Sequence, residues 1–223
     1  MVLDYENSNQ LQLIAHDATV SCLCVSNNML IASGQLASPG SKNYDSPIYL
    51  WKVGDINPMA RYFGLKEGVK ALLFSEDCRY LAGVSYKDQL MVWDLKTQTE
   101  LLTKNFENPV LILNFSNESI VLVIGKGIHS LSLTSLITQN KPPTLTNFTL
   151  PSTGLPRNYT SLLALGNGLF VIGTESGELC IFYKGIFKSG LVGGKGKVYS
   201  VALYDKQVLA SIGNELVKLD IAG

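Results

Sequence analysis

The amino-acid sequence predicts an all-β fold of about five successive four-stranded sheets, and three observations support this prediction. Short runs rich in β-branched and aromatic residues alternate with polar or glycine-containing turns, which is typical of antiparallel strands. The runs recur regularly, since Trp51 and Trp93 close equivalent runs and lie 42 residues apart. No window of about 12 residues keeps an uninterrupted apolar stripe at helical spacing. A period of ~40–45 residues favours a β-propeller over a sandwich or a barrel.

Each repeat contains three recognisable runs in a fixed order. The first run begins with a small or β-branched residue and lies at residues 20–25, 69–74, 110–115, 161–165 and 198–203. The second apolar run follows a short polar turn and lies at residues 30–34, 80–84, 120–125, 169–173 and 208–212. The third run lies at residues 48–51, 90–94, 128–133, 178–182 and 216–220. We therefore expect one propeller segment over residues 1–223, with a partial blade at 1–15, blades at 16–63, 64–104, 105–150 and 151–192, and an incomplete blade at 193–223.

The composition is that of a folded domain without a dominant charge. Of the 223 residues 46% are hydrophobic and 16% are charged, and 18 basic residues balance 18 acidic ones. No global charge therefore attracts the chain to nucleic acid or to a membrane surface. The first ten residues are polar and lack the features of a secretory signal, and no run approaches the ~18 apolar residues of a membrane span. We expect a cytoplasmic protein that binds no nucleic acid, no membrane and no small-molecule substrate.

The sequence offers no set of residues with the pattern of a catalytic, metal or nucleotide site. Only two histidines are present, and no C-x-x-C pair occurs among the four cysteines, Cys22, Cys24, Cys78 and Cys180. Zinc binding is therefore disfavoured. The glycine-rich segment 190–197 lacks the GxxxxGK[ST] spacing of a phosphate loop and leads into a predicted strand rather than a helix. We expect no enzyme activity, no cofactor and no metal.

The first repeat resembles a repeat of the WD-repeat family. The resemblance rests on His16-Asp17 before the first strand, Ser33-Gly34 at the end of the second, and Trp51 closing the third. In that family the His, Ser and Trp side chains hydrogen-bond within the blade, so the resemblance implies structural roles for them. The second repeat keeps Trp93-Asp94 without a histidine. Later repeats carry other residues near the tryptophan position, namely Ser132, Phe182 and Leu219.

A narrower resemblance covers residues 15–95. The segment 31–35, Ile-Ala-Ser-Gly-Gln, leads into an enlarged loop at 36–46 and then into 47–51, Pro-Ile-Tyr-Leu-Trp. This pattern is similar to the echinoderm microtubule-associated-protein-like proteins and to the cilia- and flagella-associated WD-repeat proteins of doublet microtubules. Because such propellers usually close with seven blades, the resemblance implies part of a seven-bladed or tandem propeller.

The same resemblance implies a function. It implies a non-catalytic scaffold that binds tubulin or other axonemal proteins in the cytoskeleton of a cilium or flagellum. Two alternatives stay open. One is a cytosolic microtubule-associated protein of the echinoderm-like group, and the other is a WD-repeat adaptor of a regulatory complex such as a ubiquitin ligase.

Two segments are candidate partner surfaces. Residues 183–204 contain no acidic residue and carry four lysines, Lys184, Lys188, Lys195 and Lys197. Such lysines are most simply solvated turn residues, and the functional alternative is contact with an acidic partner. The second candidate is the loop 36–46 with Lys42 and Tyr44, which is longer than a hairpin requires. A long loop on a rigid scaffold is either a binding element or a tolerated insertion.

Overall fold

The computed structural model shows an all-β chain, as the sequence predicts. It describes residues 2–4, 9–38, 40, 45–116, 119–134, 143–148, 158–192, 194–205 and 207–220. The chain divides into two compact units, Met1–Pro109 and Val110–Gly223. In both units each sheet is antiparallel, and strands that follow one another in sequence are neighbours in the sheet. Short hairpin connections permit this arrangement, because antiparallel strands need no long crossover.

The first unit contains a two-stranded sheet and two four-stranded sheets. The strands β1 (Val2–Asp4) and β2 (Asn9–Leu11) pair with each other. Sheet I consists of β3 (Val20–Val25), β4 (Leu30–Gln35), β5 (Ile48–Lys52) and β6 (Ala60–Tyr62). Sheet II consists of β7 (Val69–Phe74), β8 (Tyr80–Ser85), β9 (Gln89–Asp94) and β10 (Thr99–Asn105).

The second unit contains three sheets with the same strand order. Sheet III consists of β11 (Val110–Ser116), β12 (Ser119–Ile124), β13 (Gly127–Ser132) and β14 (Leu145–Asn147). Sheet IV consists of β15 (Tyr159–Ala164), β16 (Leu169–Thr174), β17 (Glu178–Tyr183) and β18 (Ile186–Val192). Sheet V consists of β19 (Val198–Tyr204), β20 (Gln207–Ile212) and β21 (Glu215–Asp220).

The first strand of each of sheets I to V carries the same β-bulge. The register shifts after the first residue of the strand, between Val20/Cys22, Val69/Ala71, Val110/Ile112, Tyr159/Ser161 and Val198/Ser200. A bulge leaves one residue outside the ladder and redirects its side chain. The Ser21 hydroxyl, at the bulge of sheet I, donates a hydrogen bond to the Val69 carbonyl of sheet II. The Thr160 hydroxyl of sheet IV donates in the same way to the Val198 carbonyl of sheet V, at 2.6 Å.

The hydrophobic core of each unit lies between consecutive sheets. Sheets I and II enclose buried aliphatic and aromatic side chains, including Leu50, Leu72, Leu81 and Trp93. In the second unit one cluster joins sheets III and IV, and another joins sheets IV and V. Burial of apolar side chains contributes about 1.5–3 kcal/mol for each large residue relative to exposure, so these contacts dominate the stability of each unit.

The hairpin between the second and third strands differs in length between sheets. In sheets II and IV it has three residues and ends on a residue with positive φ, Asp88 (57°) or Gly177 (85°). In sheets III and V it has two residues and begins with a glycine at positive φ, as at Gly125 (57°). Both lengths match the right-handed twist of the flanking strands.

Because of this difference in hairpin length, the position that tryptophan occupies in sheets I and II comes one residue earlier in the third strand of sheet III. Trp51 pairs with Ile31, the second residue of its strand, and Trp93 pairs likewise with Leu81. The equivalent pair in sheet III is Ile120 with Leu131. The buried Leu131, and not Ser132, therefore takes the place of tryptophan. Ser132, which the sequence pattern puts near this position, lies one residue after it, because the hairpin in sheet III is one residue shorter than in sheets II and IV.

Candidate functional site

Five side chains of the first unit form a continuous chain of hydrogen bonds. The Trp51 indole N–H donates to the Ser33 hydroxyl oxygen at 2.8 Å, and Ser33 Oγ lies 2.8 Å from His16 Nε2. On the other side of the ring, His16 Nδ1 lies 2.8 Å from Gln35 Oε1. The Gln35 amide then donates to the Asp17 carboxylate at 2.6 Å. A buried tryptophan is thereby connected to a carboxylate at the end of the sheet.

The donors and acceptors of this chain assign the proton on His16. Because Gln35 uses its nitrogen toward Asp17, the oxygen that faces His16 is an acceptor, so Nδ1 carries the proton. Nε2 then accepts from the Ser33 hydroxyl, whose oxygen accepts from Trp51. Burial disfavours the charged imidazolium and lowers the pKa of His16, although the Gln35 hydrogen bond opposes this shift. The neutral ring is therefore the form that the structure stabilises.

The same residues hold the base of the long β4–β5 loop. Gln35 also donates to the Ser38 hydroxyl at 2.9 Å, and Ser38 donates to Asp17 at 2.8 Å. The far end of the loop is held by the Asp45–Lys66 ion pair, with 2.7 Å between carboxylate and ammonium. The predicted binding residues Lys42 and Tyr44 lie outside the described residues. The structure therefore defines the two ends of the loop at Ser38 and Asp45.

Sheet II has no equivalent of this hydrogen-bonded chain. Gly83 occupies the position of Ser33, so Trp93 has no hydroxyl there and packs instead against the Tyr62 ring at 5.7 Å. The neighbouring Asp94 accepts from the backbone amides of the following turn and from the Arg79 guanidinium at 3.1 Å. Burial of Asp94 opposes ionisation, but these hydrogen bonds and the Arg79 charge outweigh it and lower its pKa.

Phe182 takes the tryptophan position in sheet IV and is fully buried. Its ring packs against Phe148, which directly follows β14, at 5.9 Å, and against Phe187 of β18 at 5.5 Å. Aromatic pairs at these separations stabilise a core beyond their buried area. Phe182 thus fills the space between two sheets and presents no group to a partner.

The four candidate lysines do not form one cluster. Lys184 lies in the β17–β18 turn and Lys188 in β18, whereas Lys195 and Lys197 lie in the connection from β18 to β19. The seven residues of β18 span about 20 Å, since a strand rises ~3.3 Å per residue. The structure therefore separates the lysines into two pairs near opposite ends of sheet IV.

Lys184 and Lys188 gather around one exposed aromatic ring. Their ammonium groups lie 5.3 Å and 5.9 Å from the centroid of the Tyr183 ring. Tyr183 and the nearby Ile186 are both exposed. The adjacent β15–β16 turn, residues 165–168, has no acidic residue. This cluster, Tyr183, Lys184, Ile186 and Lys188, is named the Tyr183 cluster below, and it combines positive charge with an apolar surface.

The second lysine pair lies in a region of mixed charge. The Lys197 ammonium is 5.8 Å from the Tyr199 ring, and both lysines are exposed. The Glu215 carboxylate, however, lies beside Gly194 in the same connection. Glu175 and Glu178 also lie at this end of sheet IV, where β16 ends and β17 begins. The absence of acidic residues along residues 183–204 in sequence therefore does not extend to the space around Lys195 and Lys197.

Comparison with known proteins identifies the fold. The chain is similar to the crystal structure of the β-propeller domain of Cps50 (Swd1) from Myceliophteria thermophila, with a TM-score of 0.76 and 13% sequence identity. The similarity covers 94% of this chain and 68% of that one. The fold is that of a WD-repeat β-propeller. No protein-family model and no curated protein sequence matches the chain.

Sheets I to V are blades of this propeller fold. The glycine-rich segment does not open a helix, since β18 runs to Val192 and β19 begins at Val198. Within the described ranges, no group of three or more His, Cys, Asp or Glu side chains could hold a metal ion. The described part of the chain also has no helix long and apolar enough to cross a membrane.

The sequence analysis missed two features of the candidate site. Gln35 joins the histidine to the long loop, and the only signal was its place in the Ser-Gly-Gln segment that carries the narrower resemblance. The second is the exposed ring of Tyr183 between two lysines. Its signal was the Tyr-Lys pair at the end of a predicted strand, where an aromatic side chain and a charge share one turn.

Proposed function

We propose that this protein is a non-catalytic propeller scaffold that binds an acidic protein surface through the Tyr183 cluster. The observation that carries the proposal is the gathering of two ammonium groups within 6 Å of one exposed tyrosine ring, on a blade end where the neighbouring described turn has no carboxylate. Exposed cation–π contacts contribute about 0.5–1 kcal/mol, so the ring helps to hold both charges in place. A positive surface with an apolar centre favours an acidic partner.

The partner that we propose is tubulin, in the doublet microtubules of a cilium or flagellum. The support is the resemblance of residues 15–95 to microtubule-associated WD-repeat proteins, which includes the long β4–β5 loop. A cytosolic microtubule-associated role is the second candidate, because the same resemblance includes the echinoderm-like group. Imaging the tagged chain in ciliated cells separates the two, since only the first predicts enrichment along the axoneme.

Co-sedimentation with microtubules tests the proposed surface. The test variant reverses both charges of the Tyr183 cluster, Lys184→Glu with Lys188→Glu. We expect about a tenfold increase in Kd, equal to ~1.4 kcal/mol, and a weaker dependence on salt. The fold should be retained, because Lys184 lies in a turn and neither side chain belongs to the core cluster.

Matched control variants make the test specific. Lys195→Glu with Lys197→Glu reverses two exposed charges on the same blade, in the region of mixed charge. Lys96→Glu with Lys104→Glu reverses one exposed and one half-buried charge on sheet II. We expect each control to change Kd by less than about twofold, since isolated surface charges contribute little. Equal losses in all three variants would show attraction without a specific surface, and wild-type protein that stays in the supernatant would favour an adaptor of a regulatory complex.

A further inference from the structure

The hairpin turn between β15 and β16 contains the one Asn-Gly pair of the sequence, Asn167 and Gly168. Both residues have positive φ, 51° and 79°. The Leu169 amide donates to the Gly166 carbonyl at 2.9 Å, so residues 166–169 form a type I′ turn. Asparagine followed by glycine favours this turn, because both residues tolerate the left-handed conformation. The fold therefore places this pair at the tip of a hairpin.

The groups of this pair that can react with each other are free. The Asn167 side chain is exposed, and neither it nor the Gly168 amide nitrogen has a hydrogen-bond partner among the described residues. Gly168 has no Cβ, so no side chain hinders the approach of its nitrogen to the Asn167 side chain. The approach requires the turn to open, and residues 165–168 are half-buried or exposed, which favours local opening. Asn158 differs, because its side-chain amide donates to Glu175 at 2.7 Å and a tyrosine follows it.

The same turn lies against the Tyr183 cluster. The Lys184 amide donates to the Gly168 carbonyl at 2.7 Å. The Lys184 side chain also covers Gly168, since a Cβ on Gly168 would lie 3.1 Å from Lys184 Cγ. A charge on the residue before Gly168 would act on Lys184 over a distance comparable with the Debye length, about 8 Å at physiological salt. Because the turn has no acidic residue, a carboxylate at position 167 would change the charge of this surface.

We propose that Asn167 is a site of spontaneous deamidation, which adds a negative charge beside the Tyr183 cluster and weakens its binding to an acidic partner. The Gly168 nitrogen loses its proton to solvent and bonds to Asn167 Cγ. The Cγ–Nδ2 bond breaks, and the leaving nitrogen takes a proton from water and departs as ammonia. Water then opens the cyclic imide at either carbonyl, which gives aspartate or isoaspartate. The effect on binding rests on the proposed function, whereas the modification itself does not.

Mass spectrometry of the full chain after incubation at mildly alkaline pH tests the modification. Trypsin should release residues 158–184 as one peptide, which contains both Asn158 and Asn167. We expect Asn167 to exchange its amide for a carboxyl group about tenfold faster than Asn158, equal to a barrier lower by ~1.4 kcal/mol. Asn214 is a second internal control, because it is exposed in a hairpin turn but precedes glutamate.

The denatured chain under the same conditions is the reference for the reaction. If Asn167 keeps its amide in the native protein as long as Asn158 does, the proposal is overturned, and rapid loss in the denatured chain would show that the folded turn prevents the attack. Asn167→Gly should retain the turn, since glycine also tolerates positive φ, and it has no amide to lose.

Co-sedimentation with microtubules at low salt tests the consequence for binding. Asn167→Asp reproduces the charge of the product. It changes the charge by one unit, whereas the double reversal at Lys184 and Lys188 changes it by four, so we expect Kd to rise about twofold. Asn167→Gly should bind like the wild type. Equal Kd values for the two variants would overturn the effect on binding. Wild-type protein that fails to bind would overturn the proposed function, while mass spectrometry still decides whether Asn167 is modified.

Discussion

Replacement of Ser33 by alanine tests the hydrogen-bonded chain of sheet I most directly. The hydroxyl accepts from the indole of Trp51 and donates to His16, and the Trp51 side chain is almost completely buried. Ser33→Ala removes both bonds and leaves the indole N–H without a partner in an apolar environment. An orphaned buried donor costs about 1–3 kcal/mol, and the lost bond to His16 adds about 1 kcal/mol. We therefore expect the free energy of unfolding to fall by about 2–4 kcal/mol.

Urea denaturation followed by tryptophan fluorescence measures this loss for the compact unit that contains Ser33. Both tryptophans, Trp51 and Trp93, lie in Met1–Pro109, so the signal reports that unit. The Trp51→Phe variant completes a double-mutant cycle, because phenylalanine has no N–H to orphan. The double variant should be less destabilised than the sum of the single variants by at least ~1 kcal/mol. Additivity within about 0.5 kcal/mol would refute the reasoning, since the two groups would then be independent.

Three further predictions concern titratable groups whose pKa the fold shifts. The pKa of folded His16 lies below its ordinary value of 6.5, so the unfolded chain binds the proton first as pH falls. The first unit should therefore lose stability below pH 6.5. Urea titrations at about pH 5 to 8 measure this dependence, and His16→Asn should flatten it. Burial raises the pKa of Cys22 from 9.0 to about 11 and that of Cys24 to about 12. Iodoacetamide should therefore modify Cys22 about 100-fold more slowly in native than in unfolded protein, because only the thiolate reacts. Equal modification rates measured by mass spectrometry would contradict this prediction. Asp94→Asn should cost about 1–3 kcal/mol at pH 7 and progressively less as pH falls below 3.8, because the pKa of native Asp94 lies below this ordinary value and the unfolded chain takes up the proton first. The same loss at neutral and at acid pH would show that the charge plays no part.

The repeat pattern of the sequence was sufficient to predict the fold, because it reflects a constraint that every sheet shares. Each sheet must bury an apolar third strand against its neighbour, so a large residue recurs at Trp51, Trp93 and Phe182. The pattern was less accurate where a turn changes length. The shorter hairpin in sheet III moves the buried position to Leu131, and spacing alone does not show this change.

The candidate site was less predictable, because it depends on which chain segments meet in space. Four lysines close in sequence separate into two pairs, since β18 extends between them. Glu215 then reaches the second pair from a strand that follows it in the chain. Gln35 was visible in the sequence, but its position between a histidine and a loop serine depends on the conformation of the residues before β3.

Hydrogen exchange of the chain alone and bound to microtubules is the most direct test of the proposed binding surface. Our account predicts slower amide exchange on binding in peptides that cover residues 183–190, which contain the Tyr183 cluster. Exchange in residues 194–205 and in β7–β10 should change little, and the Lys184→Glu, Lys188→Glu variant should lose the protection. Protection confined to residues 194–205, or binding that leaves 183–190 unprotected, would contradict the account.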